Sequence, residues 1–270
     1  MKTVFISFII FILSFLAFNC SQETTKSSHL FPKLSTPIQL TKDPEEHFFA
    51  SYYGINSWSD DQQFATVLET DIRHRLPTED DPATLGMVNM DTKEFQPLTE
   101  THAWNFQQGC MAHWLGTSPD SLIIFNDLRE GKFVSVIMNV HTKQEIRTFP
   151  FPVSAVSPNG NKAVSINFAR LRITRKDYGY GGEGQDPREE VRFPEDDGLF
   201  LVDLQTGEKK LLVSIADVKK MVPEIPEDGL EYFNHTLFSK DGSKIMWLAR
   251  AIPRRNTTAF TVHQDGSNVK

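Results

Sequence analysis

The sequence has few cysteines and no excess of positive charge. Its two cysteines are Cys20 and Cys110. If Cys20 is consumed at the N-terminal signal described below, an intramolecular disulfide is impossible, and stability must come from a packed core. The formal net charge is −7, with 35 acidic against 28 basic residues. This charge argues against nucleic acid as a partner and against an electrostatic hold on anionic lipid, because both need a basic face.

Long apolar runs are scarce as well, and the one present is at the N-terminus. Residues 4–18 are apolar apart from two serines and follow Lys2. The run is shorter than the roughly 20 residues that a membrane-spanning helix needs and is typical of a secretory signal. Cys20 stands where a bacterial lipoprotein signal places its lipidated cysteine; ordinary cleavage and an uncleaved anchor are the alternatives.

These features predict an exported protein of the cell envelope. We expect a signal over 1–20, a polar tether and lead-in over 21–48, and a folded domain over 49–270. Lipidation of Cys20 would attach the domain to a membrane, at the outer membrane or on its periplasmic face.

Helical periodicity is scarce, and a recurring cassette of strand and turn signals dominates the chain. The cassette has Ser, Lys or Pro, Asp or Asn and then Gly, followed at once by an apolar strand. Asp-Gly and Asn-Gly accept the positive φ angles that tight turns need. The clearer copies are VSPNGNKAVSINF from Val156 and FSKDGSKIMWLAR from Phe238, and the weaker copies are NSWSDDQQFATVLET from Asn56 and WLGTSPDSLIIFND from Trp114.

Each cassette is followed by a second strand that ends in a turn, for example LGMVNMDTKEFQPL and LFLVDLQTGEKKLL. Two hairpins in a unit of roughly 40 to 55 residues are typical of propeller blades. We therefore predict an all-β fold, a β-propeller of four-stranded blades, and expect a ring larger than the four visible blades, closed by further chain or by partner chains. The predicted blades are 50–100, 108–150, 152–213 and 232–269.

The third unit is lengthened by an insertion over 174–196, which contains RKDYGYGGEGQDPREE. It is rich in glycine and charge, and the residues that follow its glycines do not match a phosphate-binding loop. A surface loop is the simplest interpretation, although long loops in compact domains are often functional.

The stretch WNFQQGCMAHWLG, 104–116, concentrates chemically distinctive side chains. A Cys110/His113 dyad is disfavoured because the segment is predicted to be extended, which puts residues i and i+3 on opposite faces. Zinc would need more ligands than these two. We expect Cys110, Met111 and Trp114 to pack between blades. Polar side chains would line one rim or satisfy buried backbone groups; these are Gln107, Gln108 and His113.

The segment IIFND places Asn126 and Asp127 at the predicted end of a buried strand. They would form an Asx turn or contact a ligand near the central channel.

The segment NFARLRITR is predicted to be a strand that runs into the insertion. Arg170 and Arg172 would then share a face, close to Tyr178 and Tyr180. Guanidinium groups hold carboxylates in bidentate pairs, and tyrosines stack on sugar rings. The residues therefore predict capture of an acidic glycan; internal salt bridges to Glu183, Asp186 and Glu189 are the alternative.

Several long strings resemble a known family. The SPNG and SKDG cassettes resemble the TolB-type, WD40-like propeller repeat, and WNFQQGCMAHWLG, INFARLRITRKDYGYG and YFNHTLFSKDGSKIMWLAR are similar to bacterial propellers allied to oligogalacturonate lyases. The resemblance covers Tyr52 to Gly266. It implies a propeller fold and, at most, a metal-dependent β-elimination on uronic-acid oligosaccharides, with manganese as a candidate cofactor.

The same resemblance bears on Asn234 and His235 in the string FNH. A single histidine at a strand start is typically a hydrogen-bonded structural residue. The lyases draw their metal ligands from several histidines and a glutamine, and His235 is the position that matches, so it becomes a candidate metal ligand or general base. Asn234 is a candidate ligand contact beside it.

Two functional hypotheses follow from these observations. The first is an envelope-anchored propeller that binds an acidic glycan or an envelope protein at its central face. The alternative is a carbohydrate-active enzyme in which Arg170, Arg172 and His235 hold and deprotonate a uronate.

Overall fold

The structure is a computed structural model that describes residues 36–42, 45–52, 54–181, 186–252 and 256–270. The chain divides into two units, Met1–Ile38 and Gln39–Lys270. Only residues 36–38 of the first unit are described, so the fold is that of the second unit. Cys20 and the predicted signal lie outside the described residues.

Four antiparallel sheets make up the domain, and each uses consecutive strands of the chain. The first sheet contains β1 (Glu46–Phe49), β2 (Phe64–Thr70), β3 (Ala83–Asn89) and β4 (Phe95–Thr101), and the second contains β5 (His113–Trp114), β6 (Leu122–Arg129), β7 (Lys132–Asn139) and β8 (Gln144–Phe149). The third contains β9 (Ala155–Val156), β10 (Lys162–Ser165), β11 (Gly198–Asp203) and β12 (Lys209–Ser214), and the fourth contains β13 (Leu230–Phe238), β14 (Lys244–Ile252) and β15 (Asn256–His263). Two short helices accompany the third sheet. Helix α1 (Phe168–Thr174) precedes β11, and helix α2 (Ile215–Met221) follows β12.

This arrangement confirms the predicted all-β propeller with four blades. The first three sheets have four strands, and the fourth has three among the described residues. A larger ring stays a prediction.

In three of the four cassettes a serine organises the turn between the first two strands of the blade. Ser59, Ser157 and Ser239 each accept the backbone N–H five residues ahead at 3.0 Å. Each hydroxyl also donates to the Asp or Asn side chain two residues ahead, at 2.6 to 2.8 Å. The serine therefore closes the turn from within, which explains why the motif recurs at blade starts.

A second side-chain turn joins the third and fourth strands of the first three blades. The side-chain Oδ1 atoms of Asn89, Asn139 and Asp203 each accept N–H groups from residues two and three ahead, at 2.8 to 3.0 Å. The residue four ahead has a positive φ in all three turns; these residues are Lys93, Lys143 and Gly207. The strings NMDTK, NVHTK and DLQTG in the sequence therefore each form an Asx turn that connects two strands of a hairpin.

Three apolar clusters fill the spaces between successive sheets. The first joins sheets one and two around Trp104 and Phe125. The second joins sheets two and three around Phe149 and Val202. The largest joins sheets three and four around Trp247. Face-to-face packing of this kind is what alternating strands require.

The segment NFARLRITR was predicted to be a strand and is instead helix α1. Asn167 caps it by accepting the N–H of Arg170 at 3.0 Å. Ala169, Leu171 and the two arginines are good helix formers. The interpretation of Arg170 and Arg172 as two residues on one strand face was therefore wrong.

Candidate functional site

One residue of each blade occupies an equivalent place just before its cassette turn. The turns correspond at Ser59, Leu115, Ser157 and Ser239, whose N–H groups each donate to a carbonyl of the next strand at 2.9 Å. The preceding residues are Trp58, Trp114, Val156 and Phe238, and all four line a single central cavity of about 530 Å³. This volume is typical of small-ligand sites.

The polar side chains of this central cavity come from all four blades. His113 is 7% exposed, and its Nε2 has no hydrogen-bond partner in the part of the chain that the structure describes. Burial lowers the pKa of His113 to about 3, so its ring is neutral near pH 7. Asn56, Asp60 and Lys240 also line the cavity and are exposed.

The indole of Trp114 joins two blades at the cavity wall. Its Nε1 donates to the carbonyl of Ser57 at 2.9 Å, which fixes the ring against the first blade. Trp58 and Trp114 are both partly exposed. Each therefore presents part of its aromatic surface to the cavity.

A smaller cavity lies next to the central cavity and shares Ile55, Thr236 and Leu237 with it. Its volume of about 10 Å³ is close to that of one water molecule. Gln108 and His235 contribute to its walls. The Oε1 atom of buried Gln108 has no hydrogen-bond partner among the described residues.

His235 lies at this smaller cavity, in a position equivalent to Met111 of the second blade. Both residues have a φ of 53° and stand four residues before the aligned turn position. The imidazole lies 5.1 Å from the ring of Tyr52 and 5.8 Å from that of Tyr178. Burial, helped by the charges of Arg250 and Arg175, lowers the pKa of His235 to about 4. The ring is therefore a neutral, weak base.

The described residues contain no group of three or more His, Cys, Asp or Glu side chains placed to hold a metal ion. His235 alone does not fit a manganese centre, which needs several ligands. A catalytic or metal-binding role for His235 stays a prediction.

Arg170 faces inward and is bonded to the protein itself. Its guanidinium donates to the carbonyls of Arg188, Val191, Arg192 and Glu231 at 2.6 to 3.3 Å. The side chain is only 1% exposed. These contacts therefore match the alternative of bonds within the protein rather than capture of an external anion.

A buried carboxylate network accompanies Arg170. Asp186 lies 3.6 Å from its guanidinium, and both side chains are inaccessible to solvent. The amide of Asn167 donates to Asp186 at 2.9 Å and to Asp197 at 2.8 Å. Helix α1 is thereby joined to the second half of the insertion and to Asp197, which follows it. Glu183 of the predicted salt-bridge set lies outside the described residues.

Arg172 is separated from Arg170 by the turn of the helix and contacts other backbone. It donates to the carbonyls of Lys176 and Pro77, the latter at 3.4 Å. Burial lowers the pKa of Arg172. The structure does not bring Arg170 and Arg172 together as one anion-binding pair.

Tyr180 and Asn126 form a buried link between the insertion and two blades. The amide of Asn126 donates to the Tyr180 hydroxyl and to the carbonyl of Val153, both at 2.8 Å. Its Oδ1 accepts the N–H of Val153 at 2.8 Å. Tyr180 stacks on Phe168 with ring centroids 4.4 Å apart. Asn126 lies within β6 and forms no turn, so that interpretation was wrong.

The remaining predicted residues lie at three separate places. Asp127 accepts from Arg129 Nε at 2.8 Å and from the N–H of His102 at 3.2 Å. Tyr178 lies under the guanidinium of Arg175, 4.8 Å from its ring centroid. Asn234 is fully buried, and neither of its side-chain polar atoms has a hydrogen-bond partner among the described residues.

The segment around Cys110 packs between blades, as expected, but less of it is an extended strand than predicted. Only His113–Trp114 forms a strand, because Gly109 and Met111 both have positive φ. Cys110 is fully buried, and burial raises the pKa of its thiol. A buried, protonated thiol is not a nucleophile.

Sequence reasoning missed two residues that the structure brings to these sites. Trp58 lines the central cavity, and Arg250, together with Arg175, acts on His235 through its charge. The signal for Trp58 was available, because it precedes the first cassette as Trp114 precedes the second.

Comparisons with known proteins show structural similarity to propellers. No family model and no curated protein matches the chain. TolB from Acinetobacter baumannii superposes with a TM-score of 0.46 at 11% identity, covering 87% of this chain and 45% of that one. An oligogalacturonate lyase in complex with manganese gives 0.45 at 12% identity, covering 86% and 67%. A putative TolB from Agrobacterium tumefaciens gives 0.46 at 10%, covering 79% and 62%.

The expected similarity to TolB-type and lyase-type propellers is thus confirmed at the level of structure. The chain spans less than half the length of the Acinetobacter protein. The fold assignment itself comes from the four sheets. In the part of the chain that is described, no helix has the length and apolar character needed to cross a bilayer.

Proposed function

We propose that this protein is a binding module whose central face holds a glycan or a protein partner. The observation that carries the proposal is the central cavity, because all four blades contribute to it and its walls combine the aromatic surface of Trp58 and Trp114 with polar side chains from several blades. Aromatic and polar side chains that converge on one cavity are typical of recognition sites.

The cellular setting of this proposal comes from the sequence. A signal over 1–20 with a lipidated Cys20 would hold the domain at the cell envelope, where acidic glycans and envelope proteins are available. Labelling of the protein with a radioactive fatty acid in its own cells tests the anchor. Unchanged labelling of a Cys20→Ala variant would contradict it.

The binding proposal is tested by photo-crosslinking in the intact envelope. A benzoylphenylalanine placed at Asn56, which is exposed and lines the central cavity, should form crosslinks to a partner that mass spectrometry identifies as glycan or protein. The control position is Ile146, 58% exposed on the outer strand β8. Equal crosslinking at the two positions, or crosslinking at Ile146 alone, would contradict binding at the central face.

The second candidate is an enzyme that resembles oligogalacturonate lyase. The observation that favours it is His235, a neutral imidazole flanked by Tyr52 and Tyr178. The charges of Arg175 and Arg250 contribute to the lowered pKa of this imidazole. A neutral imidazole can accept a proton, and guanidinium groups can stabilise an enolate-like carboxylate. The described residues offer no set of metal ligands, so this candidate rests on these side chains alone.

This candidate predicts an unsaturated product from oligogalacturonate, detected by ultraviolet absorbance, whose formation His235→Ala abolishes. Absence of the product with the unmodified protein would exclude it. A pull-down on trigalacturonate alone does not separate the two candidates, whereas product formation does.

A further inference from the structure

The walls of the central cavity also indicate which kind of ligand it holds, an inference that rests on the proposed binding function. We infer that the cavity takes an uncharged sugar ring, stacked on Trp58 and Trp114 and hydrogen-bonded to His113. Arg170 and Arg172, the residues expected to bind an acidic glycan, donate to backbone carbonyls elsewhere in the fold.

 The arginines expected to hold a carboxylate therefore do not reach this cavity.

The aromatic surface is the first step of the argument. Trp58, Trp114 and Phe238 occupy equivalent positions in three blades and all line the cavity. An aromatic ring has a negative face, which attracts the weakly positive C–H groups on the face of a pyranose. Trp114 is held in place by its bond to Ser57 at 2.9 Å, so its surface is already ordered before a ligand arrives.

The second step is the imidazole of His113. His113 lines the cavity, and its Nε2 has almost no accessible surface and no hydrogen-bond partner among the described residues, which is costly. A sugar hydroxyl would reach this nitrogen once the side chains that cover it move aside. Because burial keeps this ring uncharged near pH 7, it offers a neutral donor or acceptor. A sugar hydroxyl can both donate and accept, so it satisfies the nitrogen in either tautomer.

The third step is charge. The lining residues include one acidic side chain, Asp60, and one basic side chain, Lys240, both exposed. Their charges offset each other, and no excess of positive charge remains to compensate a buried carboxylate or phosphate. An uncharged sugar loses less hydration free energy on entering such a cavity than a uronate does.

Tryptophan fluorescence provides the test, because the four tryptophans divide into two classes. Trp104 and Trp247 are buried in the clusters between sheets, whereas Trp58 and Trp114 line the cavity. The protein is titrated with hexasaccharides of β-1,4-linked glucose, N-acetylglucosamine, mannose and xylose and of α-1,4-linked glucose, and with trigalacturonate as the charged comparator. Calorimetry measures the affinity of each saccharide that changes the emission.

We expect at least one uncharged hexasaccharide to bind, and roughly tenfold weaker binding in Trp58→Ala and in His113→Phe. The control is Ile146→Ala, an apolar residue that is 58% exposed on the outer strand β8 and lines no cavity that contains Trp58. Its affinity should equal that of the unmodified protein. Trp114→Phe serves in place of Trp114→Ala if loss of the contact to Ser57 prevents folding.

The remaining outcomes contradict the inference. Binding of trigalacturonate alone, weakened by Trp58→Ala, would overturn the uncharged ligand and leave binding at the central face intact. Saccharide binding that is unchanged in Trp58→Ala and His113→Phe would place the ligand elsewhere. No binding by any uncharged member of the panel would overturn the inference, and crosslinking at Asn56 then decides the proposed function separately.

Discussion

At the residue scale, buried polar side chains connect elements that are far apart in sequence. Asn126 is the clearest example, because its one side chain bonds to both backbone groups of Val153 and to the hydroxyl of Tyr180. Replacement of one partner in such a set leaves the others unsatisfied in a dry environment, which costs more than the bonds contributed.

Asn126→Ala should therefore lower the free energy of unfolding by about 2–4 kcal/mol. The loss has two causes, the unsatisfied groups of Val153 and the cavity left by the amide. Urea denaturation followed by circular dichroism measures it. Tyr180→Phe is the control, since it removes a single hydroxyl and should cost about 1 kcal/mol. Equal losses in the two variants would contradict the central role of the amide.

Glu231 predicts how stability depends on pH. The side chain is fully buried, and neither carboxyl oxygen has a hydrogen-bond partner among the described residues. Burial raises its pKa from 4.5 to about 8, although the charges of Arg170 and Lys219 act in the opposite direction. Between these two values the folded protein keeps a proton that the unfolded chain loses. Stability from this group is therefore complete below pH 4.5 and is lost as pH rises through 8.

Glu231→Gln removes this ionisation while keeping the shape of the side chain. The difference in unfolding free energy between about pH 5 and about pH 8 should shrink in the variant, by no more than about 4 kcal/mol. Urea titrations at several pH values measure the slope. A slope equal to that of the unmodified protein would show that Glu231 does not titrate in this range.

At the element scale, helix α1 organises the residues around the insertion. Arg170 projects from it to four backbone carbonyls, three of them between residues 188 and 192. Arg172, two residues further along the helix, contacts Lys176 and Pro77 and is partly exposed. The two arginines therefore differ in what their loss would do.

Arg170→Met should release the segment 186–197 and lower the free energy of unfolding by about 3–5 kcal/mol, because it leaves buried Asp186 without its cation. Limited proteolysis should cut this segment faster in the variant. Arg172→Met, the matched control, should cost about 1 kcal/mol or less. Equal protease sensitivity of the two variants would contradict the anchoring role of Arg170.

The elements also show which parts of the fold could be predicted from sequence. Ser59, Ser157 and Ser239 mark turns whose bonds are local, so the pattern is visible in the sequence itself. Helix α1 has seven residues, too few for a clear helical period, and its stability comes from Asn167 and from contacts distant in the chain. The sequence pattern around Arg170 therefore favoured a strand.

The candidate site was harder to predict than the fold for a related reason. Its walls are single residues from four blades, and they come together only when the blades are aligned in register. Trp58 and Trp114 share a position before their cassettes, which was visible in the sequence. The burial that makes His113 neutral was not, because it depends on all the blades at once.

At the scale of the whole molecule, the blades meet through close backbone contacts. Gly116 of the second blade is an example, since a Cβ added there would lie 2.1 Å from the carbonyl oxygen of Pro158 in the third blade. Gly131 offers a comparison, because a Cβ at that position would meet nothing within 4 Å, although its φ is +70°.

Gly116→Ala should therefore force the second and third blades apart at their junction and lower the free energy of unfolding by about 2–3 kcal/mol. Gly131→Ala should cost only the backbone strain of about 1 kcal/mol. Thermal denaturation of both variants measures the difference. If Gly116→Ala lowered the free energy of unfolding by less than Gly131→Ala does, the blades would tolerate a methyl group at this junction.

The three-stranded fourth sheet has a consequence for how the protein behaves in concentrated solution. Along the outer edge of β15, hydrogen bonds within the described part of the chain run from Thr261 to Lys270 and from His263 to Ser267, at 2.9 to 3.0 Å. A strand edge whose backbone groups are already bonded cannot serve as a template for strand addition. The turn over 261–270 therefore protects this end of β15 from pairing with a strand of another chain.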